Sequence, residues 1–243
     1  MERLAAAARV DDLEDPLMDD VVEHFLSDQE CESLLADVRA YAATHELPLI
    51  VREHEERTLR YRVIDGDAIH ASLPRLVALY ARVAEYVRAI DPMLEPLANR
   101  TASVNVNITP PGGEYRWHYD RNAVTAILFL NRCEGGETEM YPGFRLRVGQ
   151  KDSLLQRALD RLLRAFRRFA RLVVVTPEPG RMILMRGDRC LHSVRRVIRG
   201  DDRVNVIMTF DPPGAQFRAA QGLDPYLYSS AAARPGDPNY LQP

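Results

Sequence analysis

The chain has 243 residues, 46% hydrophobic and 28% charged, which suits one globular core with supporting helices and leaves little room for two. Its 32 basic and 35 acidic residues give a formal net charge of -3, so the overall balance favours neither a nucleic acid nor an anionic membrane as partner. Cys31, Cys133 and Cys190 are scattered without a CxxC pair, which excludes a disulfide framework or zinc knuckle and points to a reducing, cytoplasmic location.

The segment from Met1 to Leu17 sets Asp11, Asp12, Glu14 and Asp15 beside a short alanine run, unlike the basic start and apolar centre of a secretory signal. No stretch reaches the length of a membrane span. Every basic residue but Lys151 is arginine, a compositional bias that gives single surface arginines little weight. Residues 1–100 read as mostly helical support. Ser27 and Glu30 make a capping-box pattern, followed by the apolar stripe Cys31, Leu34, Leu35, Val38 and Tyr41. A second helix is predicted with Ser72 as N-cap and Pro74 in its first turn, its stripe running through Leu76, Leu79, Tyr80, Val83 and Val87. Between them, Leu49 to Asp65 fits a hairpin or an extended loop equally well.

From Ala102 the period changes to two. Ala102, Val104, Val106 and Ile108 alternate with Ser103, Asn105 and Asn107, the pattern of a strand with one polar face. Seven further strand-like runs follow: Tyr115 to Asp120, Ala123 to Leu130, Glu137 to Tyr141, Leu172 to Thr176, Arg181 to Met185, Leu191 to Val197 and Arg203 to Phe210. Turn clusters such as Pro110-Pro111-Gly112-Gly113 and Glu178-Pro179-Gly180 punctuate them. Short strands so spaced predict an α+β protein with a jelly roll or barrel over 101–211. One helix interrupts the series from about Ser153 to Arg171, and residues 212–243 form a tail of no firm period. The whole chain, 1–243, is expected to be a single domain.

In the run Tyr115 to Asp120, His118 and Asp120 stand at i and i+2, so an imidazole and a carboxylate share one face while Trp117 and Tyr119 take the other. Two histidines and a carboxylate with open positions are the ligand set of a non-haem iron site, and His192 is the only other histidine in the strand-rich half. Taken alone, a His-x-Asp pair is also a common hydrogen-bonded surface pair. Eleven residues after His192, Arg203 opens the last strand on one face with Asn205, Ile207 and Thr209, where a guanidinium can grip a carboxylate by two parallel hydrogen bonds.

Trp117-His118-Tyr119-Asp120, Thr125-Ala126-Ile127-Leu128-Phe129-Leu130-Asn131, Gly135-Gly136-Glu137-Thr138, Pro179-Gly180-Arg181 and His192-Ser193-Val194 with Gly200 and Arg203 stand in an order that resembles the 2-oxoglutarate and Fe(II)-dependent oxygenase superfamily, in its prolyl-hydroxylase-like branch. The resemblance covers most of Ser103 to Phe210. It implies a double-stranded β-helix, a cupin-like jelly roll, with Fe(II) held by His118, Asp120 and His192 and the distal carboxylate of 2-oxoglutarate held by Arg203. Thr125 and Asn105 are candidates for the co-substrate or substrate pocket. Relatives often place a tyrosine on the strand leading into Leu130-Asn131, where this chain has Leu128 and Phe129, so its hydroxyl contact to 2-oxoglutarate is expected to be either absent or supplied by Tyr115. Asp120 argues against the halogenase variant, in which a small residue vacates a chloride site.

The implied reaction couples decarboxylation of 2-oxoglutarate by O2 to oxidation of a substrate, with ascorbate as a candidate reductant and hydroxylation as the default outcome over desaturation or ring formation. Three readings remain: an oxygenase of a small molecule such as an amino acid or biosynthetic intermediate, an oxygenase of a peptide or protein side chain, and a non-catalytic cupin-like metal-binding module. In the segment Ser153 to Arg171, Leu155, Leu159, Leu162, Leu163, Phe166 and Phe169 mark one face and Arg157, Arg161, Arg164, Arg168 and Arg171 the other. Its apolar face is expected to pack on the barrel with the arginines in water; the sharper alternative is an arginine face that docks an acidic protein or touches anionic lipid. Phe217, Tyr226, Tyr228 and Tyr240 make the tail a candidate lid over the site, a surface wrap or a dimer contact.

Overall fold

The computed structural model describes residues 19–52, 57–146, 154–215 and 227–228. Met1 to Leu17, His54, Ser153 and the tail residues Phe217, Tyr226 and Tyr240 lie outside them. The elements in chain order begin with β1 (Asp20–Val22), α1 (Asp28–Thr44), the pair β2 (Leu49–Arg52) and β3 (Leu59–Ile64), α2 (Gly66–Ser72), α3 (Pro74–Ile90), β4 (Glu95–Pro96) and α4 (Arg100–Ser103). The strand-rich half holds β5 (Val104–Thr109), β6 (Tyr115–His118), β7 (Val124–Phe129), β8 (Glu134–Gly135) and β9 (Thr138–Tyr141). After the inserted helix α5 (Leu154–Ala165) and a 3₁₀ turn at Arg167–Phe169 come β10 (Val173–Val175), β11 (Met182–Met185), β12 (Leu191–Val194), β13 (Val197–Arg199) and β14 (Arg203–Asp211).

The strands form two main antiparallel sheets. The larger runs β1-β11-β7-β14-β5-β3-β2, with β4 on β14, and the smaller runs β10-β9-β12-β6. Successive strands β5, β6, β7 and β9 thus alternate between sheets, as do β10, β11, β12 and β14, which is the jelly-roll connection expected from the sequence. Each of the eight predicted runs is a strand. The stretch Leu49 to Asp65 resolves as a hairpin, β2 on β3, that extends the large sheet because Arg62 pairs with Ile108 and Ile64 with Val106.

Residue parity divides the large sheet between two tasks. Val104, Val106 and Ile108 of β5 and Val204, Val206, Met208 and Phe210 of β14 pack against Leu34 and Val38 of α1 and Leu76, Val83 and Val87 of α3. Their neighbours Asn105, Asn107, Arg203 and Asn205 therefore face the space between the sheets. Ser27 caps α1 as predicted: its hydroxyl accepts from Glu30 N while Glu30 accepts from the Ser27 backbone. Helix α3 starts one residue later than predicted, with Leu73 at the N-cap, because Ser72 is the last residue of α2.

The inserted helix meets the expected packing of its apolar face only in part, through the half-buried Leu159 and Leu163. It is amphipathic, but Leu155, Leu162, Phe166 and Phe169 are exposed, and the buried residues on it are polar, Gln156 and Asp160. Arg145 draws that polar stripe inward: its guanidinium donates to Asp160 Oδ2 at 2.7 and 3.0 Å, and both partners are buried.

Candidate active site

Strand β12 lies beside β6 with His192 opposite His118, so pairing of the small sheet brings together two histidines 74 positions apart. Each Nδ1 donates to the carbonyl two residues earlier, His118 to Arg116 O at 2.9 Å and His192 to Cys190 O at 3.0 Å. A carbonyl only accepts, so both rings carry their proton on Nδ1 and turn an unprotonated Nε2 inward, as a metal ligand requires. Burial, then the neighbouring His118, pushes the His192 pKa down to about 4, which keeps that ring neutral near pH 7.

Asp120 lies just beyond β6 rather than within it. Its N–H donates to Gly187 O at 2.8 Å, which fixes the backbone where strand pairing has ended. Its Oδ1 stands 3.4 Å from His118 Nε2 and 3.5 Å from His192 Nε2, and the donor atoms of all three residues lie within 4.8 Å of one another. Burial disfavours the carboxylate, but His192, His118 and a hydrogen bond from Thr125 outweigh it and hold the group well below the usual carboxylate range. Two neutral imidazole nitrogens and one carboxylate oxygen fit Fe(II) as a facial set with open positions.

Sequence reasoning missed the residues that hold Asp120 still. Thr125, predicted as a pocket residue, lines the pocket but spends its proton on Asp120 Oδ2 at 2.6 Å, and Asn122 Nδ2 donates to Thr125 Oγ1 at 2.8 Å. Gly187 leaves room for this pair, since a Cβ there would stand 2.7 Å from Thr125 Oγ1 and 2.8 Å from Asp120 Cβ. The triplet Gly187-Asp188-Arg189 between strands reads as an ordinary turn in sequence, so only the fold reveals its partner.

Arg203 sits across the cavity, 3% exposed. Its Nε donates to Gly136 O at 2.9 Å, Nη1 to Asn205 Oδ1 at 2.5 Å and Nη2 to Thr138 Oγ1 at 3.1 Å, while Cζ lies 5.0 Å from the centre of the Phe129 ring. No carboxylate pairs with it among the described residues. Burial lowers its pKa to about 10, the mark of a cation held in a dry pocket by neutral oxygens. A bound carboxylate supplies the missing countercharge, and this is the structural sign that an anionic co-substrate fits here.

The same pocket takes in Asn105, Tyr61, Tyr115 and the described tail residues Leu227 and Tyr228. Tyr115 packs against His118 with ring centres 4.6 Å apart and planes tilted by 39°, and it meets Tyr61 at 5.7 Å. Tyr61 donates to Leu227 O at 2.9 Å, tying the hairpin to the tail. All seven site residues named from sequence thus border one cavity of about 110 Å³.

A jelly roll that carries a His-x-Asp pair, a distant histidine and a buried arginine for a dicarboxylate defines the class of Fe(II)- and 2-oxoglutarate-dependent oxygenases. The core of this chain belongs to the 2OG-Fe(II) oxygenase superfamily, whose family model matches residues 104–210. Its cofactors are Fe(II) and 2-oxoglutarate, and the chain is a dioxygenase.

Solved structures agree in fold. A prolyl-4-hydroxylase from Pseudomonas putida superposes with a TM-score of 0.53 at 21% identity, covering 80% of this chain and 92% of that one. The non-haem α-ketoglutarate-dependent carbocyclase SnoK from nogalamycin biosynthesis gives 0.63 at 14% identity over 88% of each chain. HygX from Streptomyces hygroscopicus, solved with nickel and 2-oxoglutarate bound, gives 0.55 at 15% identity over 81% of this chain and 84% of that one. No curated protein matches the chain in sequence. Among the described residues no helix is long and apolar enough to cross a membrane.

Proposed function

We propose that the chain hydroxylates a small organic molecule, an amino acid or biosynthetic intermediate, consuming 2-oxoglutarate and O2 and releasing succinate, CO2 and the hydroxylated product. The whole chain acts as one domain in this reading, with residues 1–100 as support, 101–211 as the jelly roll and 212–243 as a C-terminal tail, of which the described Leu227 and Tyr228 line the pocket. Fe(II) and 2-oxoglutarate supply the oxidation when bound. His118 and His192 present Nε2 and Asp120 presents Oδ1 to the metal; Arg203 holds the far carboxylate of the co-substrate; Asn105 and Tyr115 line the space left for substrate.

The observation that carries the choice of a small molecule is the hydrogen bond from Tyr61 to Leu227 O, which joins two walls of the pocket. A peptide needs a groove into which its flanking residues can extend, whereas a walled pocket suits a compact substrate. SnoK, from nogalamycin biosynthesis, shares this fold and is named a carbocyclase, which supports a small-molecule role and leaves ring formation as a variant outcome. A metal-binding module without turnover would have no use for Arg203 buried beside the triad.

Anaerobic addition of Fe(II) and 2-oxoglutarate to metal-free protein, followed by the weak visible charge-transfer band of the chelate, tests the cofactor arrangement. The band is expected in the wild type and is lost in His192→Ala and Arg203→Ala; its absence from folded wild-type protein overturns the assignment of these residues. Succinate release is then measured against amino acids, small biosynthetic intermediates and proline-containing peptides. Stimulation by peptides alone transfers the reading to a peptide hydroxylase.

A further inference from the structure

Helix α5 touches the body of the protein along a single edge. Gln156 and Asp160, four residues apart, form that edge: Gln156 Nε2 donates to Leu146 O and to Asp160 Oδ1, each at 2.8 Å, and Arg145 completes the network. Leu159 and Leu163, on the inner side of the apolar stripe, are half-buried, and the rest of the stripe looks outward. Leu155, Leu162, Phe166 and Phe169 are 63%, 55%, 54% and 72% exposed. Burying a leucine or phenylalanine side chain gains about 1.5–3 kcal/mol, so a helix that buries its polar edge and presents four such residues to solvent is shaped for something outside the chain.

The charge beside the arc says what that is. Arg161, Arg168 and Arg171 are exposed, and none of them is paired with an acidic side chain among the described residues. Arg168 Cζ lies 4.8 Å from the centre of the Phe169 ring, so positive charge borders the apolar surface directly. The one acidic residue of the helix, Asp160, is consumed by Arg145. A second copy of the chain laid on this face would bring like-charged arginine rows together, and an acidic protein would need a groove cut to fit a convex ridge. A fluid bilayer adapts to a convex ridge without such a groove, and its anionic headgroups complement the arginines.

We propose that α5 and its following 3₁₀ turn seat the protein on an anionic lipid surface, with Leu155, Leu162, Phe166 and Phe169 among the acyl chains and Arg161, Arg168 and Arg171 at the headgroup phosphates. The contact is peripheral and reversible, and it places an enzyme of net charge -3 at a membrane through one local patch. It does not depend on the identity of the substrate.

Co-sedimentation of the full chain with vesicles of phosphatidylglycerol and phosphatidylcholine, against phosphatidylcholine alone, tests it. Binding is expected to the anionic vesicles only and to fall as salt is raised. Arg161→Glu combined with Arg168→Glu lowers partitioning by at least about 30-fold, since each basic residue near such a surface contributes about 1 kcal/mol. Phe169→Ser abolishes it. A Phe166→Trp variant, whose emission shifts to the blue on anionic vesicles alone, separates insertion from loss of the helix. No binding to anionic vesicles at low salt, or equal binding to neutral ones, overturns the proposal. Salt-sensitive binding of polyglutamate, or a concentration-dependent dimer lost in Phe169→Ser, without vesicle binding would give the face to an acidic protein or to a second copy and overturn it equally.

Discussion

Thr125 Oγ1 donates to Asp120 Oδ2 at 2.6 Å, so one carboxylate oxygen is occupied and the other, Oδ1, is left facing both imidazole Nε2 atoms. Asn122 donates to the same hydroxyl at 2.8 Å, which directs the threonine proton toward the carboxylate. Thr125→Val keeps the volume and removes the donor. Metal affinity, titrated calorimetrically with Co(II) as a redox-inert probe, is expected to fall roughly 10- to 100-fold while the far-ultraviolet circular dichroism stays unchanged. Wild-type affinity in the valine variant would show that Asp120 is held in place by other contacts.

Arg203 allows stability and binding to be separated. It is a buried cation whose described partners are neutral, so the folded protein carries a desolvation cost that a bound carboxylate relieves. Arg203→Met, with no charge to desolvate, is expected to melt no lower than the wild type when ligand-free. It should also lose the rise in Tm that 2-oxoglutarate gives the wild type, with affinity down by on the order of 30-fold or more, the scale of a lost buried charge pair. A Tm rise of equal size in both proteins would remove Arg203 from the co-substrate site.

The strands were legible because parity is local: Val104, Val106 and Ile108 had to face an apolar layer and Asn105 and Asn107 its opposite, whatever the rest of the chain did. The triad was legible for the same reason at His118 and Asp120, and by the scarcity of histidine in the strand-rich half at His192. The hairpin at Leu49 was ambiguous because its place depends on Arg62 and Ile64 meeting Ile108 and Val106, a pairing made across more than 40 residues. The periodicity of α5 marked its apolar stripe but not how much of that stripe, beyond the half-buried Leu159 and Leu163, is left in solvent. That exposure is set by Arg145 reaching Asp160, which no periodicity contains.

Glu139 behind the small sheet gives a pH dependence of definite sign. It accepts from Arg57 Nη2 and Arg195 Nε, both at 2.7 Å, and from Ser193 Oγ at 3.2 Å. Burial disfavours its charge, but Arg57 and Arg195 outweigh burial and lower its pKa from the usual 4.5. A depressed carboxylate stabilises the fold fully above its unfolded pKa and loses that contribution as pH falls through the folded value. Glu139→Gln is therefore expected to cost roughly 2–4 kcal/mol at pH 7, with the difference from wild type shrinking progressively below about pH 4.5. Urea unfolding at pH 7 and pH 3.5 checks this; a constant difference would mean that packing, not charge, holds the site.

Tyr61 connects the hairpin to the tail through a hydrogen bond to Leu227 O, and its ring is fully walled by Tyr115 and its neighbours. Tyr61→Phe removes the bond and leaves the aromatic wall. If the tail closes the pocket on substrate, the variant keeps its affinity for 2-oxoglutarate but raises the substrate KM several-fold, about the effect of one hydrogen bond of 1 kcal/mol. It also releases more succinate per product formed. Unaltered coupling and KM would make the tail a surface wrap.

Gly187 provides the most local test of how the site is built. Its backbone carbonyl accepts from Asp120 N at 2.8 Å, and its missing side chain leaves the space filled by Asp120 and Thr125. A methyl group there would meet Thr125 Oγ1 at 2.7 Å and Asp120 Oδ2 at 2.9 Å, closer than a carbon tolerates, and both atoms belong to short side chains held by hydrogen bonds. Relief must come from moving Asp120, since the loop backbone is bound to it. Gly187→Ala is thus expected to weaken Co(II) binding at least as much as Thr125→Val, by about 10-fold or more, while destabilising the fold by only about 1–3 kcal/mol. Because the two substitutions disturb the same carboxylate, their effects on metal affinity should combine to less than their sum in a double-mutant cycle. Full additivity would mean that Gly187 and Thr125 act on the metal through different ligands.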